Sequence, residues 1–372
     1  MCLACFAEKI GMILSIFVAI FLLGFLIFIH EFGHFILAKR EGMKVEEFGF
    51  GYPPRIFGKK IGETLYSLNL IPFGGLVKIL GEQGDSKETS PDSFYAKPLF
   101  ARVKVILGGV VMFWIMAYVI LVFSHVIGIP TAVEDSDKIS NARVQILYVA
   151  KNSPADRAGL KAGDVILNSR AGGEDKKINT VTELQDFTKK YAGEDVLLDI
   201  LRGKESIKAS VVPRKNPPQN EGPMGIIPAR VALITYPWYQ AIWRAAFETF
   251  RYTWFYITGL INALSSLLTT GRAIGVEPSG PVGIVYFTMQ AFRLGASYFL
   301  NFLFSISIAL AVCNLLPIPS LDGGKLLFLT VEKIKGSSVK PKTENLITSV
   351  IFIILLMVMV FITIRFDIPR FF

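Results

Sequence analysis

A metal-binding motif follows an apolar run of membrane-spanning length near the start of the 372-residue chain. Residues 10–29 carry no charge, and His30-Glu31-Phe32-Gly33-His34 comes directly after them. Because residues four apart lie on one helix face, about 6 Å apart along the axis, His30 and His34 can offer two imidazole nitrogens to one metal ion. Glu31 is then placed to act on a water at that ion. The fold must therefore place polar chemistry in or beside a lipid bilayer.

The alternative is a structural role, in which neighbouring residues of a helix bundle satisfy the hydrogen bonds of the two histidines. Two of the chain's three histidines belong to the motif. Uncompensated ionisable groups in a bilayer cost about 2.5–3.5 kcal/mol each on insertion scales, so such residues are usually functional. The position of the motif thus favours a metal site over a packing role.

Composition indicates a membrane protein and gives no sign of nucleic-acid binding. Hydrophobic residues make up 52% of the chain, and 30 residues are Phe. The net charge of +9 fits Lys and Arg gathered in cytoplasmic loops, and no basic, aromatic-interleaved groove is evident. Cys2-x-x-Cys5 has no second cysteine pair, so it is a weak signal for a metal or redox site.

Four segments are apolar enough and long enough to cross a bilayer. The expected division of the chain is a first transmembrane helix in 1–39, a cytoplasmic loop in 40–104, a second transmembrane helix in 105–129, an external domain in 130–215 with its core at 142–214, a linker with interfacial helices in 216–293, a third transmembrane helix in 294–329, a cytoplasmic loop in 330–345, a fourth transmembrane helix in 346–365, and an external tail in 366–372.

The positive-inside rule sets the expected orientation. Residues 39–104 hold eleven Lys or Arg, and the loop 330–345 adds four lysines, so both should be cytoplasmic. Both termini and the long segment between the second and third spans should then be external. The segment 238–268 is aromatic-rich but contains Arg244 and Arg251, which favours an interfacial helix; a full span there would reverse the topology after it.

The external segment contains a small α+β module. Strand-like, turn and helical patterns alternate through residues 142–214. Its order of Ser153-Pro154-Ala155, Ala158-Gly159-Leu160 and Gly163-Asp164-Val165-Ile166 resembles the bacterial, protease-associated PDZ domain. That resemblance implies a groove that accepts an extended chain by strand addition. The alternative is a spacer domain without a ligand.

A second motif interrupts the third span and supplies a further metal ligand. Asn314-Leu315-Leu316-Pro317-Ile318-Pro319-Ser320-Leu321-Asp322-Gly323-Gly324 breaks an apolar helix with two prolines and two glycines. A catalytic zinc has three protein ligands and keeps its fourth position for water. Asp322 would otherwise be a buried carboxylate without a partner, so it is the expected third ligand beside His30 and His34.

Taken together, the two motifs, the module and Ser279-Gly280-Pro281-Val282-Gly283 closely resemble the site-2 protease family of intramembrane zinc metalloproteases. The resemblance is to its bacterial, PDZ-containing form, which cleaves anti-sigma factors and remnant signal peptides, and it covers nearly the whole chain. It implies one zinc ion per chain, His30, His34 and Asp322 as ligands, and Glu31 as the general base. It also implies substrate-binding roles for Asn314, Gly74 and Gly75.

The same resemblance implies a membrane-associated β-hairpin over about 65–80 on the cytoplasmic side, with Phe73-Gly74-Gly75 at its turn. The fold is therefore expected to be a mainly α membrane protein with four transmembrane helices, this hairpin and one external α+β PDZ domain. The chain departs from the family at Val110 and Phe113, where many relatives carry Pro and Asn.

The predicted function is hydrolysis of peptide bonds within or next to the transmembrane segments of single-span membrane proteins. The protein should lie in the bacterial inner membrane, its active site should lie near the cytoplasmic side, and its module should bind or exclude substrate ectodomains. One alternative is a non-catalytic membrane PDZ adaptor with a structural zinc, although such sites normally close with four protein ligands. A metal transporter is a second alternative, although no internal repeat is evident.

Overall fold

The computed structural model describes residues 3–82, 90–203, 205–218, 221–270, 278–337, 339 and 341–371. Parts of the predicted loop 40–104 and of the predicted linker 216–293 lie outside these ranges, as do Cys2 and the side chain of Cys5. The chain forms two compact units. The first unit comprises Met1–Val122, Ile242–Met289 and Phe302–Phe372, and the second comprises Phe123–Ala241 and Gln290–Asn301.

Helices and strands alternate along the described chain. The helices are α1 (Leu3–Arg40), α2 (Leu99–Ile127), α3 (Pro154–Arg157), α4 (Val181–Lys190), α5 (Trp238–Thr270), α6 (Pro281–Leu294), α7 (Ala296–Asn314), α8 (Asp322–Lys335), α9 (Pro341–Ile362) and α10 (Ile368–Phe371). The strands are β1 (Val45–Ile61), β2 (Thr64–Ile79), β3 (Ile129–Ala132), β4 (Arg143–Val149), β5 (Val165–Ala171), β6 (Glu174–Lys177), β7 (Val196–Arg202), β8 (Glu205–Val211) and β9 (Ile226–Ile234).

Four helical stretches are long and apolar enough to cross a membrane. Among the described residues these candidates are Ile16–Arg40, Leu99–Ile127, Ala296–Asn314 and Lys342–Asp367. The last one continues from α9 through a π-helical turn, Thr363–Asp367. The third is shorter than the predicted 294–329, because the chain leaves the helix after Asn314 and begins α8 at Asp322. The protein thus has the four apolar helices of a membrane protein.

The strands β1 and β2 form an irregular sheet in the first unit. Residues 47–50 of β1 lie between two runs of β2, so that Phe48 faces both Val77 and Tyr66. The run 55–61 pairs with 64–69 on the far side. The runs 55–61 and 75–78 are therefore the outer ones. Large apolar side chains of this sheet are exposed, among them Ile56, Phe57, Ile61, Leu68 and Leu70.

The turn of this hairpin lies elsewhere than predicted. The chain reverses at Gly62-Glu63, and Gly62 has a positive φ of 61°. Gly74 and Gly75 lie inside β2 and not at a turn. Their missing side chains let β2 approach α1, because a Cβ on Gly75 would lie 2.9 Å from Cα of Phe28. The glycine pair therefore serves a close helix–strand contact, and the β region begins at Val45 and not near residue 65.

The second unit contains a seven-stranded antiparallel sheet. Its strands lie in the order β3-β9-β4-β5-β7-β8, with β6 beside β5. Helix α4 begins with a capping box between Thr180 and Glu183. The core is apolar and continuous, and includes Val144, Ile146, Ile166, Leu184, Phe187, Leu198 and Ile200. This unit can therefore bury its own apolar surface.

The two sheets correct the expectation of a mainly α-helical fold. Strands β1 and β2 have 17 and 16 residues, and seven more strands lie in the second unit. The sequence pattern did not reveal β1, because irregularities in its register interrupt the alternation of buried and exposed residues and its run 52–61 is exposed throughout. The chain is a mixed α and β membrane protein.

The Ser279–Gly283 motif begins α6 and contacts the end of the fourth apolar helix. The buried carboxylate of Asp367 accepts hydrogen bonds from the backbone N–H groups of Gly280, at 3.1 Å, and Gly283, at 2.8 Å. A Cβ on Gly283 would lie 2.7 Å from the same carboxylate. The two glycines thus allow Asp367 to cap the first turn of α6.

Candidate metal centre

His30 and His34 lie on one face of α1, as their spacing predicts. Their Nε2 atoms are 3.2 Å apart, and the two rings meet edge to face. Both side chains are buried. Two ring nitrogens therefore lie close together beside the helix, where both could bind one metal ion.

Asp322 begins α8 and brings a carboxylate to the same position. Its Oδ2 lies 3.2 Å from Nε2 of His30 and 3.4 Å from Nε2 of His34. The following glycines permit this placement, because a Cβ on Gly323 would lie 2.1 Å from the carbonyl oxygen of Leu316. The glycine-rich turn thus seats the carboxylate against the two histidines.

The three donor atoms fit a tetrahedral metal ion. Zn–N and Zn–O distances of about 2.0–2.1 Å place neighbouring ligands of a tetrahedron about 3.3–3.4 Å apart. The three separations here are 3.2, 3.2 and 3.4 Å. In the part of the chain that the structure describes, Oδ2 of Asp322 is buried and receives no hydrogen bond. A cation bound by these three atoms would satisfy that oxygen, and the donor set suits zinc.

The imidazole of His34 is oriented by α2. Its Nδ1 lies 2.9 Å from the carbonyl oxygen of Val105, to which it can donate a hydrogen bond. Such a bond fixes the tautomer and leaves Nε2 free as a ligand. The backbone of α2 thus sets the direction of one histidine.

Glycines bring α1 and α2 into close contact at the metal centre. A Cβ on Gly33 would lie 2.2 Å from the carbonyl oxygen of Gly108, so only glycine allows this approach. A Cβ on Gly109 would lie 2.4 Å from Nε2 of His34 and 2.5 Å from Cε1 of His30. Small residues let membrane helices pack backbone to backbone. Here they let α2 cover both imidazoles.

Glu31 lies where α1 meets β2. A Cβ on Gly75 would lie 2.9 Å from Cγ of Glu31, and a Cβ on Gly74 would lie 2.8 Å from a side-chain carbon of Ile27. Gly74 has a φ of +127°, a conformation that favours glycine. The structure therefore places the predicted base beside Gly75, one of the two predicted substrate-binding glycines, and Gly74 beside Ile27.

The side-chain hydrogen bond of Asn314 is made within α7 and not to His30, His34 or Asp322. Nδ2 of Asn314 donates to the carbonyl oxygen of Leu310, one turn earlier in α7, at 2.9 Å. Asn314 closes the last turn of α7 just before the loop that leads to Asp322. Its predicted role in substrate binding stays a prediction.

Charged pairs tie α8 to its neighbours. The guanidinium of Arg102, at the start of α2, donates to both carboxylate oxygens of Glu332, at 2.9 and 2.6 Å. Lys325, one turn after Asp322, donates to Glu82 just beyond β2. Burial alone would lower the pKa of Lys325, but the carboxylates of Glu82 and Asp322 hold that pKa above its ordinary value. These pairs help hold the helix that carries Asp322.

Sequence reasoning did not single out the parts of α2 that surround the histidines. Val105 contributes only a backbone oxygen, so no residue type could reveal it. Gly33 and Gly108 carry a usable signal, because glycine in the middle of an apolar helix often marks a close crossing. Phe113 was noted as a departure from relatives, but its contact with His30 requires the folded structure.

Comparison with known proteins agrees with this geometry. A profile of Peptidase family M50 matches residues 18–358. A Clostridium perfringens protein that carries the name of a zinc metalloprotease is 32% identical over 340 residues, which cover 91% of this chain and 94% of the relative. RasP of Bacillus subtilis, named as a regulator of sigma-W protease, is 28% identical over 427 aligned positions, which cover 92% and 96%.

The chain therefore belongs to peptidase family M50, the site-2 protease family. It is a zinc metalloprotease of the site-2 type. The relative that is named as a regulator of sigma-W protease associates this enzyme class with regulated intramembrane proteolysis.

Proposed function

We propose that the protein hydrolyses peptide bonds within or next to transmembrane segments of single-span membrane proteins, with anti-sigma factors and remnant signal peptides as substrate classes. The observation that carries this proposal is the buried cluster of His30, His34 and Asp322 in a chain with four membrane-length apolar helices. These residues would hold one zinc ion per chain. The name of RasP, a regulator of sigma-W protease, supports the anti-sigma class.

Glu31 is the proposed general base. A zinc ion held by His30, His34 and Asp322 would lower the pKa of a bound water to about 7 and polarise the substrate carbonyl. The carboxylate of Glu31 accepts the proton of the attacking water and delivers it to the leaving amine. Its position directly after His30 on α1, against Gly75, supports this role. Burial of the cluster limits the access of bulk water.

The run 75–78 of β2 is the proposed binding edge for the unwound substrate. A helix in lipid hides its carbonyl groups in backbone hydrogen bonds, so cleavage requires local unwinding, and strand addition can restore the lost bonds. Within the described residues this sheet contains only β1 and β2, so the run 75–78 has a strand neighbour on one side only. Gly74 and Gly75 would then let the substrate backbone approach Glu31, with Asn314 as a further contact.

The seven-stranded unit is the proposed PDZ domain. Its self-contained core and short capped helix α4 support a separate module. We place it on the external side, with both termini, and the metal centre near the cytoplasmic face of the bacterial inner membrane. There it would bind or exclude substrate ectodomains, so that a bulky substrate is cleaved only after trimming.

The helix α5 is the proposed interfacial element of the linker. It exposes an aromatic row that includes Trp243, Phe247, Phe250 and Trp254. Trp, Phe and basic residues together suit the membrane–water boundary. This placement agrees with the absence of α5 from the four candidate spans of the described chain.

Comparison of the purified wild type with Glu31→Gln tests the function. Cleavage of single-span substrates in detergent should fall at least about 1,000-fold, because the base is lost while the fold and metal ligands remain. Zinc content should stay unchanged. The matched control is Glu41→Gln, since Glu41 lies just after α1 and pairs with Lys104. Full cleavage by Glu31→Gln would contradict the assignment of Glu31 as the base. A non-catalytic adaptor would be favoured instead if the wild type cleaved no substrate while Glu31→Gln kept full activity in cells.

A further inference from the structure

The two imidazoles of the metal centre are oriented in different ways. Nδ1 of His34 has the carbonyl oxygen of Val105 as its partner, at 2.9 Å. Nδ1 of His30 is buried, and it makes no hydrogen bond within the described part of the chain. Metal-ligating histidines usually donate that second N–H to an oxygen, which fixes the ring. His30 therefore needs another means of orientation.

The side of His30 that carries Nδ1 faces the backbone of α2. A Cβ on Gly109 would lie 2.7 Å from this nitrogen and 2.5 Å from the neighbouring Cε1. The Cα of a glycine thus closes off the position where a polar partner normally lies. A larger residue at 109 would push the ring away, and glycine offers no hydrogen bond in return.

Phe113, one turn after Gly109, covers the face of the His30 ring. The two ring centroids are 4.5 Å apart and the planes differ by 24°, which is a stacked arrangement. Phe113 is 2% exposed. Stacking restricts rotation of the imidazole about χ2, the motion that a hydrogen bond at Nδ1 would otherwise restrict.

Phe113 is itself held from a third helix. The hydroxyl of Ser307, on α7, donates to the carbonyl oxygen of Phe113 at 3.0 Å, and Ser307 is fully buried. This hydrogen bond ties the backbone of Phe113, on α2, to α7. A phenylalanine held in this way can restrict the orientation of the His30 ring on which it stacks.

We infer that Phe113 is a positioning residue for the metal centre: its ring, together with Gly109, fixes the His30 imidazole by stacking in place of a hydrogen bond. The inference rests on the proposed role of His30 as a zinc ligand. Loss of the stacking partner should loosen His30 and weaken zinc binding. Loss of orienting partners around metal-ligating histidines typically costs about 10- to 100-fold in metal affinity.

The test is the zinc affinity of Phe113→Leu, measured by competition with a chelator on the full-length protein in detergent. We expect at least a tenfold weaker affinity than in the wild type. A shifted visible spectrum of the Co²⁺-substituted variant should accompany it, because His30 would take a different orientation. The matched control is Phe304→Leu, an equally buried phenylalanine on α7 whose ring contacts Tyr252 and neither histidine.

Two further variants separate the possible outcomes. Phe113→Met also removes the aromatic face, but its flexible, unbranched side chain adapts to the space, so it provides a second measurement if Phe113→Leu does not fold. His30→Ala should lose zinc; retention of zinc there would refute the ligand assignment itself. If His30→Ala loses zinc while a folded Phe113 variant binds zinc within twofold of the wild type, the positioning role of Phe113 is refuted and the ligand assignment stands.

Discussion

The two sheets of the protein differ in how they bury their apolar side chains. The sheet of β1 and β2 exposes large apolar side chains and meets α1 through glycines. The seven-stranded sheet buries a continuous core of its own, with Ile146 and Leu198 completely covered. The outer run 55–61 of the first sheet is exposed and buries no apolar core. The second sheet buries its apolar side chains within its own unit. We therefore expect the first sheet to rely on α1 and on its surroundings for burial, and the second sheet to tolerate changes that leave cleavage intact.

The largest expected effect concerns the self-contained sheet. Leu198→Ala removes a fully buried side chain from β7, which should lower stability by about 2–5 kcal/mol. Hydrogen exchange of β7 amides in the full-length protein measures this loss. Leu197→Ala makes the same change on the opposite, less buried face of the strand and should cost far less. Equal loss of protection in β1 and β2 would show that the two sheets are not independent.

A smaller effect is expected where β2 meets α1. Gly75→Ala places a Cβ 2.9 Å from Cα of Phe28, so the strand must shift by several tenths of an ångström. Displacement of about 1 Å near reacting groups can reduce rates about 100-fold, so this smaller shift should reduce cleavage of a single-span substrate about 10-fold.

A matched control for Gly75→Ala is Gly222→Ala, because a Cβ there meets open space and the backbone has no positive φ. It should leave cleavage unchanged. If Gly75→Ala cleaves substrate at the wild-type rate, the close contact between β2 and α1 has no part in catalysis.

The smallest effect is expected at the exposed side of the first sheet. Phe57 is 64% exposed, so Phe57→Ser should change stability in detergent by no more than about 0.5 kcal/mol. In liposomes the lost apolar contact should lower activity several-fold, because this side chain would otherwise lie in lipid. The ratio of activities in liposomes and detergent measures this difference. Lys59→Ser is the polar control on the same strand; an equal ratio for both variants would argue against lipid contact by Phe57.

The sequence predicted which three side chains form the candidate metal centre, because the patterns that mark them are local. The spacing of His30 and His34 fixes a shared helix face, and the helix-breaking sequence around Asp322 marks a carboxylate that needs a partner. Four apolar helices could be located by length alone. Neither inference requires knowledge of the tertiary fold.

Other features depend on contacts that sequence patterns do not contain. Glycines mark turns and close approaches alike, so Gly74-Gly75 could not be distinguished from a turn without α1 beside it. The strand β1 has no simple alternation because its register is irregular and residues 52–61 are exposed throughout. The stacking of Phe113 on His30 joins two helices about 80 residues apart in sequence. The mixed α and β fold emerges only from these tertiary contacts.

Zinc content per chain tests the central claim most directly. Full-length wild type, purified and dialysed against a weak chelator, should retain about one zinc ion, and Asp322→Asn should lose it although the side chain keeps its size. The control is His125→Ala, which removes the chain's third histidine, a residue outside the cluster; this variant should retain its zinc. A full zinc complement in Asp322→Asn, or loss of zinc in His125→Ala, would contradict the account.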